Sequence, residues 1–168
     1  MQKKIFFSVL FFIFVFSQNS NSQMISGYAI VIDGDTIKIN NDKIRLYGID
    51  APEKKQLCKR KYLSISFFSF DKNYPCGEIS TKKLKEIINN KIVKCYIEGH
   101  DRYKRKLANC YKDKLNINSW MVRNGFAVAY NKYSKKYLKE EAQAKNDKLG
   151  MWQGKFEMPW EWRKNAKK

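Results

Sequence analysis

The chain has 168 residues, with 34 lysines and arginines against 16 aspartates and glutamates, for a formal net charge of +18. That size argues against a multidomain assembly, and so large a positive excess favours a polyanionic partner. Charge alone does not separate nucleic acid from an anionic membrane or cell-wall polymer, nor either from simple solubility.

At the N-terminus Lys3 and Lys4 precede an apolar run from Ile5 to Phe16, followed by the polar stretch SQNSNSQ. This is the layout of a secretory signal peptide. The run is shorter than the roughly 20 residues needed to span a bilayer, and Ser20 and Ser22 place small residues where a signal peptidase reads, so cleavage is expected after Ser22. An uncleaved anchor is the alternative. Residues 1–22 carry two lysines and no acid, so their loss leaves +16 on a single domain of residues 23–168. That domain is expected to be exported, periplasmic or secreted, with no membrane span after signal removal, and to be a monomer.

All four cysteines, Cys58, Cys76, Cys95 and Cys110, lie beyond the leader, and an even number in an exported chain reads as disulfides. Of the three connectivities, Cys58–Cys76 with Cys95–Cys110 closes two short loops that do not cross. Each bridge is worth roughly 3 kcal/mol on a chain-entropy estimate. A zinc site from the same thiols competes, although the tight C-x-x-C pairs that build such sites are absent.

In chain order, Gly27 to Asp33 is β-branched and ends in the turn signal Asp33-Gly34. Thr36–Ile39 and Lys43–Tyr47 flank the turn residues Asn40, Asn41 and Asp42, which predicts a three-stranded meander. Residues Lys54 to Pro75 read as a lysine-rich irregular stretch containing SISFFSF. A helix over Ser80–Asn90 carries Leu84, Ile87 and Ile88 on one face, and Val93, Cys95 and Ile97 alternate in the next strand. A turn at Gly99–Lys104 leads to a fifth strand, Lys106–Tyr111, beside the fourth. Asn116 is placed to cap a helix bearing Ile117, Trp120 and Met121. A last helix from about Ser134 is expected to turn Leu138, Ala142 and Leu149 inward and to stop at Gly150. Five strands and three helices predict an α+β fold, a small closed sheet with helices packed on it.

The stretch VIDGDTIKINNDKIRLYGIDAPE holds the candidate chemistry. Asp35 starts the second strand, Arg45 lies in the third, and Asp50 and Glu53 follow its end, so the meander brings them to one edge. Converging carboxylates repel unless a cation lies between them, and oxygen donors select calcium or a similar hard ion over zinc. Asp35, Asp50 and the carbonyl of Ala51 are the candidate ligands. Pro52 fixes the backbone before Glu53, a carboxylate placed to activate or orient water. Arg45, with Arg105 from DRYKR, has the fork geometry for a phosphate. Singly, each feature has a plain structural reading, since Asp-Gly turns and charged strand ends are common.

Together the motifs VIDGDT, RLYGIDAPE, DRYKRKLA and EEAQAKNDKLGMW, in this order, resemble the staphylococcal nuclease (thermonuclease) family from about Gly27 to Trp152. The resemblance implies an OB-fold five-stranded β-barrel with three packed α-helices. It also implies calcium-dependent endonucleolytic hydrolysis of DNA and RNA to 3′-phosphate ends. Carried over by position, the metal ligands fall on Asp35, Asp50 and Ala51, the general base on Glu53, and the phosphate-binding arginines on Arg45 and Arg105. Tyr103 matches a family tyrosine near the nucleotide; Tyr130 and Tyr133 are expected to stack or to contact phosphate, with core packing as their other reading.

Lys104 departs from the family's usual glycine, which leaves open how the turn presents Arg105. Ala51 replaces a hydroxyl residue where only a carbonyl is needed, and the Lys54–Pro75 stretch is longer than in the type enzyme. His100 reads as a turn residue. The tail FEMPWEWRKNAKK puts Trp160 and Trp162 before basic residues, either as an extension of a nucleic-acid track or as an aromatic clasp on the domain. The alternative to an enzyme is a non-catalytic OB-fold module that binds nucleic acid.

Overall fold

The computed structural model describes residues 23–65 and 68–166, and the side chains of these except 63–65, 68 and 69. The leader expected over residues 1–22 lies outside the described residues, as does Phe67. Strands β1 (Met24–Val31), β2 (Thr36–Ile39) and β3 (Asp42–Leu46) form the expected antiparallel meander. The short β4 (Ile49–Asp50) follows, and then a long hairpin of β5 (Cys58–Ile65) and β6 (Phe68–Tyr74). Helix α1 (Cys76–Ile88) leads to β7 (Ile92–His100), β8 (Lys106–Lys112) and the short β9 (Leu115–Asn116). Helix α2 (Ile117–Arg123), β10 (Val128–Ala129), helix α3 (Leu138–Asn146), β11 (Gly154–Lys155) and helix α4 (Pro159–Asn165) complete the order.

The barrel runs β3-β2-β1-β7-β8 and closes through parallel pairing of β3 with β8, Arg45 opposite Leu107 and Leu46 opposite Ala108. Closure needs a polar brace where β3 leaves the sheet, and buried Asn118 of α2 supplies it. Its amide donates to the carbonyls of Tyr47 and Ala108 and accepts from the Cys110 amide, so all three contacts are satisfied away from water. Ile37, Ile39, Ile44, Val93, Ala108 and Cys110 alternate into the lumen, where Leu84, Ile117 and Met121 cap them. The α+β, OB-like barrel expected from the sequence is thus present.

The helix count differs from expectation: the described residues hold four α-helices, not three, because the tail after Glu157 folds as α4 with Pro159 at its start. Proline has no N–H to lose at that position and a φ already suited to a helix. Helix α3 also starts later than Ser134 and shows another face. Leu138 (37% exposed), Ala142 and Leu149 (36%) face outward, while Tyr137, Glu141 and Ala144 turn toward the domain. Glu141 is drawn inward because its carboxylate accepts the Ala129 amide of β10 at 3.0 Å.

Within the Lys54–Pro75 stretch, expected to be irregular, the described residues Cys58–Ile65 and Phe68–Tyr74 pair as β5 and β6, anchored by β11, where Gly154 pairs with Arg60. Both disulfides form as expected. Cys95–Cys110 ties neighbouring strands across the barrel, and Cys58–Cys76 ties the hairpin base to the start of α1. Two bridges suit an oxidising compartment, and no helix among the described residues is long and apolar enough to cross a membrane.

Candidate active site

Local pairing assembles the acidic edge. The turn at Asp33-Gly34 is held by the Asp35 amide donating to Asp33 Oδ1 at 3.0 Å, and the β2–β3 register sets Thr36 opposite Arg45, placing Asp35 beside the guanidinium. Asp50 arrives from the other side because β4 pairs with β10, Asp50 opposite Val128. Arg45 then bridges both carboxylates, Nη1 to Asp35 Oδ1 at 2.5 Å and Nη2 to Asp50 Oδ1 at 2.6 Å. The Ala51 amide donates to Asp35 Oδ2 at 2.9 Å, and Thr36 Oγ1 to Asp35 Oδ1 at 3.0 Å. Asp35 is 3% exposed and Asp50 fully buried.

Such crowding shows in proton affinities. Burial, with the Asp35 charge behind it, pushes Asp33 up to about 6. Burial also pushes Asp50 up; the Arg163 hydrogen bond opposes this and the Asp35 charge adds to it, for a net rise. For Arg45 burial acts to lower the pKa, but the facing Asp35 and Asp50 charges outweigh it and hold the group above its ordinary value. Three carboxylates, of Asp35, Asp50 and Glu53, are thus linked by two arginines, and Asp33 lies beside Asp35. The surplus is negative and the donors are all oxygen, the chemistry of a hard divalent cation rather than zinc. Among the described residues no three His, Cys, Asp or Glu side chains converge as a ready ligand group, so such an ion would rest on two carboxylates and a main-chain carbonyl, completed by water or substrate.

Glu53 is set by its loop. Its amide donates to the side chain of buried Gln56 at 3.2 Å, and its carbonyl accepts the Gln56 amide at 2.7 Å. Helix α1 packs flush against this loop: a Cβ at Gly77 would lie 1.8 Å from the Glu53 carbonyl oxygen, so only glycine fits. The Glu53 carboxylate meets Arg163, from α4, whose Nη1 donates to Glu53 Oε1 at 2.9 Å and Nη2 to Asp50 Oδ2 at 2.8 Å. Burial acts to lower the Arg163 pKa, and the hydrogen bond with Asp50 and those charges overcome it, holding the group above its ordinary value.

Arg105 approaches from the β7–β8 turn. Its Nε donates to Asp101 Oδ2 at 2.7 Å, and Asp101 Oδ1 also accepts the Tyr103 and Arg105 amides. Burial alone would raise the Asp101 carboxyl, but the Arg105 hydrogen bonds pull it below its ordinary value. Arg105 Nη1 lies 3.5 Å from Thr36 Oγ1, at the rim of the acidic cluster rather than inside it. Lys104 adopts φ +60°, the left-handed conformation that glycine takes without strain. The turn therefore keeps its shape with a lysine, and Lys104→Gly is expected to raise stability by about 1 kcal/mol, read as a denaturation midpoint shifted upward. An unchanged or lower midpoint would contradict the strain argument.

These groups open into a cleft of about 1020 Å³, whose wall adds Lys43, Arg102, Lys132 and Lys164 to the three arginines. Its basic wall suits a phosphodiester backbone. Tyr103, 60% exposed, lies beneath the cations of Arg102 and Arg105, with the ring centroid 4.8 and 5.6 Å away. Tyr133 is 61% exposed and meets Tyr130 edge-on, while Tyr130 is stacked on Trp160 at 5.4 Å and 5°. The Trp160 contact is the clasp reading of the tail. His100 ends β7 on the cleft wall, exposed.

Of the residues singled out from the sequence, Asp35, Arg45, Asp50, Ala51 and Glu53 come together, Arg105 flanks them, and Arg163 is the member that sequence reading missed. Its signal was weak: Met158-Pro159 with Glu161 marks a helix start, but nothing local links position 163 to position 53.

A closed barrel with a basic cleft lined by Arg45, Glu53, Arg105 and Arg163, with Asp35 and Asp50 buried behind Arg45, suits a protein that handles nucleic-acid phosphodiesters. The sequence model described as Staphylococcal nuclease homologue matches residues 43–154. An "Uncharacterized endonuclease" of Haemophilus influenzae is 34% identical over 176 residues, covering 99% of this chain and 89% of its own, and one of Escherichia coli O157:H7 is 34% identical over 160 residues, covering 90% and 93%. A "Succinoglycan biosynthesis protein ExoI" of Rhizobium meliloti is 31% identical over 139 residues, covering 81% of this chain and 69% of its own. The chain belongs to the staphylococcal nuclease family, and it is an endonuclease-type hydrolase of nucleic acid.

Proposed function

We propose that residues 23–168 form an exported, calcium-dependent endonuclease that cuts DNA and RNA to 3′-phosphate ends. The observation that carries this reading is the unbroken chain of contacts Asp35–Arg45–Asp50–Arg163–Glu53, of which Arg45, Arg163 and Glu53 line the basic cleft and the two aspartates lie buried behind them. Asp35, Asp50 and the Ala51 carbonyl would hold the ion, which when bound supplies charge neutralisation for the phosphate and the crowded carboxylates. Glu53 takes a proton from the attacking water as its oxygen bonds to phosphorus, and the P–O5′ bond breaks with the leaving O5′ taking up a proton from solvent, giving a 3′-phosphate and a 5′-hydroxyl. Arg45 and Arg105 donate to the equatorial oxygens as charge grows on them. Tyr103 and Tyr133 offer exposed rings to bases, and Tyr130 sits behind Tyr133 as its support. The two disulfides support export.

The test is cleavage of single-stranded DNA and of RNA by oxidised residues 23–168, in calcium and again after chelation with EGTA. Cutting in calcium, its loss in EGTA and 3′-phosphate ends are the expected result. Salt-sensitive binding with no cutting in calcium or magnesium would turn the reading to a binding module, and cutting undiminished by chelation would remove the metal.

A further inference from the structure

We propose that Arg163 is a third arginine of this active site, a positioning residue that holds Glu53 by one carboxylate oxygen so that the other faces the water to be activated. The inference rests on the reading of Glu53 as base. Among the described residues only Oε1 of Glu53 has a hydrogen-bond partner, and that partner is Arg163 at 2.9 Å. The same fork grips Asp50 Oδ2 at 2.8 Å, so the base and a carboxylate of the candidate ion site are set relative to each other by one rigid planar group.

The supporting structure is built around this contact. Buried Gln56 accepts the Glu53 amide through Oε1 and donates from Nε2 to the Glu157 carbonyl at 2.7 Å, joining the Glu53 loop to the segment that enters α4. Helix α4 is also seated without Arg163: Pro159 is buried, and Trp160 stacks on Tyr130. Removing the guanidinium therefore frees Glu53 while leaving the helix docked. A flexible glutamate left unheld reaches the productive geometry in a smaller fraction of encounters, which lowers turnover without weakening substrate binding.

The experiment is a double-mutant cycle in calcium on a single-stranded DNA substrate, using Arg163→Ala, Glu53→Gln and both together, with Arg163→Gln measured alongside as a polar variant that keeps N–H donors but lacks the charge and the forked reach to Glu53 and Asp50. Arg163→Ala is expected to lower kcat about 10- to 100-fold with KM within about threefold, to recover in part with added guanidinium ion, and to cost clearly less once Glu53 is already glutamine, the remainder being the loss of its second contact, with Asp50. A raised KM with unchanged kcat would make Arg163 a substrate-binding group instead, and faster cleavage would make it a plug. Multiplicative losses in the double variant would separate it from Glu53. If Glu53→Gln alone cuts at the wild-type rate, the base assignment fails and the positioning role fails with it. If Glu53→Gln is crippled while both Arg163 variants cut normally, only the inference about Arg163 fails. Should Arg163→Ala lose its melting transition, Arg163→Gln decides the kinetics, and loss of folding in both would make the contact structural.

Discussion

Glu53→Gln is expected to lower the rate of DNA cleavage by about 10³-fold, within the range a general base contributes, while leaving the melting temperature within a few degrees. The substitution keeps the side chain's size and a carbonyl oxygen for Arg163 Nη1, so the Glu53–Arg163–Asp50 connection survives as a hydrogen bond. Lost is the carboxylate proposed to accept a proton from water. The surrounding loop does not depend on the charge, since its geometry is set by Gln56, Gly77 and the Glu53 main chain. Initial rates under saturating substrate, with thermal melts of the same samples, make the check. A rate within tenfold of wild type would place the base elsewhere in the cleft.

Arg45→Ala is expected to act on both stability and rate. In EGTA it leaves Asp35 and Asp50 facing each other, nearly or fully out of water, without the guanidinium that bridges them. Breaking one side of a buried ion network typically costs 3–5 kcal/mol, about 10 °C of melting temperature in a domain of this size. Calcium should then raise the melting point of the variant more than that of the wild type, because the cation takes over the neutralisation. Cleavage even in saturating calcium should remain about 10²- to 10³-fold down, the usual loss for one donor to transition-state charge. Melts with and without calcium read the first effect and initial rates the second. An unshifted melting point in EGTA would mean that the carboxylates do not need Arg45.

The barrel was legible because its signals are local. Asp33-Gly34 and Asn40-Asn41 punctuate strands whose alternate residues Ile37, Ile39, Ile44 and Leu46 are buried, and Asn116 caps α2 by accepting the Ser119 amide at 2.9 Å. The β5–β6 hairpin was not, because alternation reports a buried face. Lys59, Arg60, Lys61 and Tyr62 are all exposed, so the strand leaves no period in the sequence. Helix α3 misled because its inward face carries Glu141, a charged residue satisfied by the Ala129 amide and by Lys145, while Leu138 stays outside. Helix α4 spans only seven residues, too few for a helical period to show. The site divides in the same way. Asp35, Arg45, Asp50 and Glu53 sit within one meander and its exit, whereas Arg163 reaches Glu53 across 110 positions through a docking that no local pattern encodes.

That separation has a temporal side. Arg163 follows its partner Asp50 by 113 positions, and at common translation rates the interval is roughly 6 to 20 seconds. For that interval a nascent chain already carries Asp35, Arg45, Asp50 and Glu53 but lacks the wall of the cleft that Trp160 and Arg163 complete. The cleft is therefore complete only once α4, the last helix among the described residues, has docked.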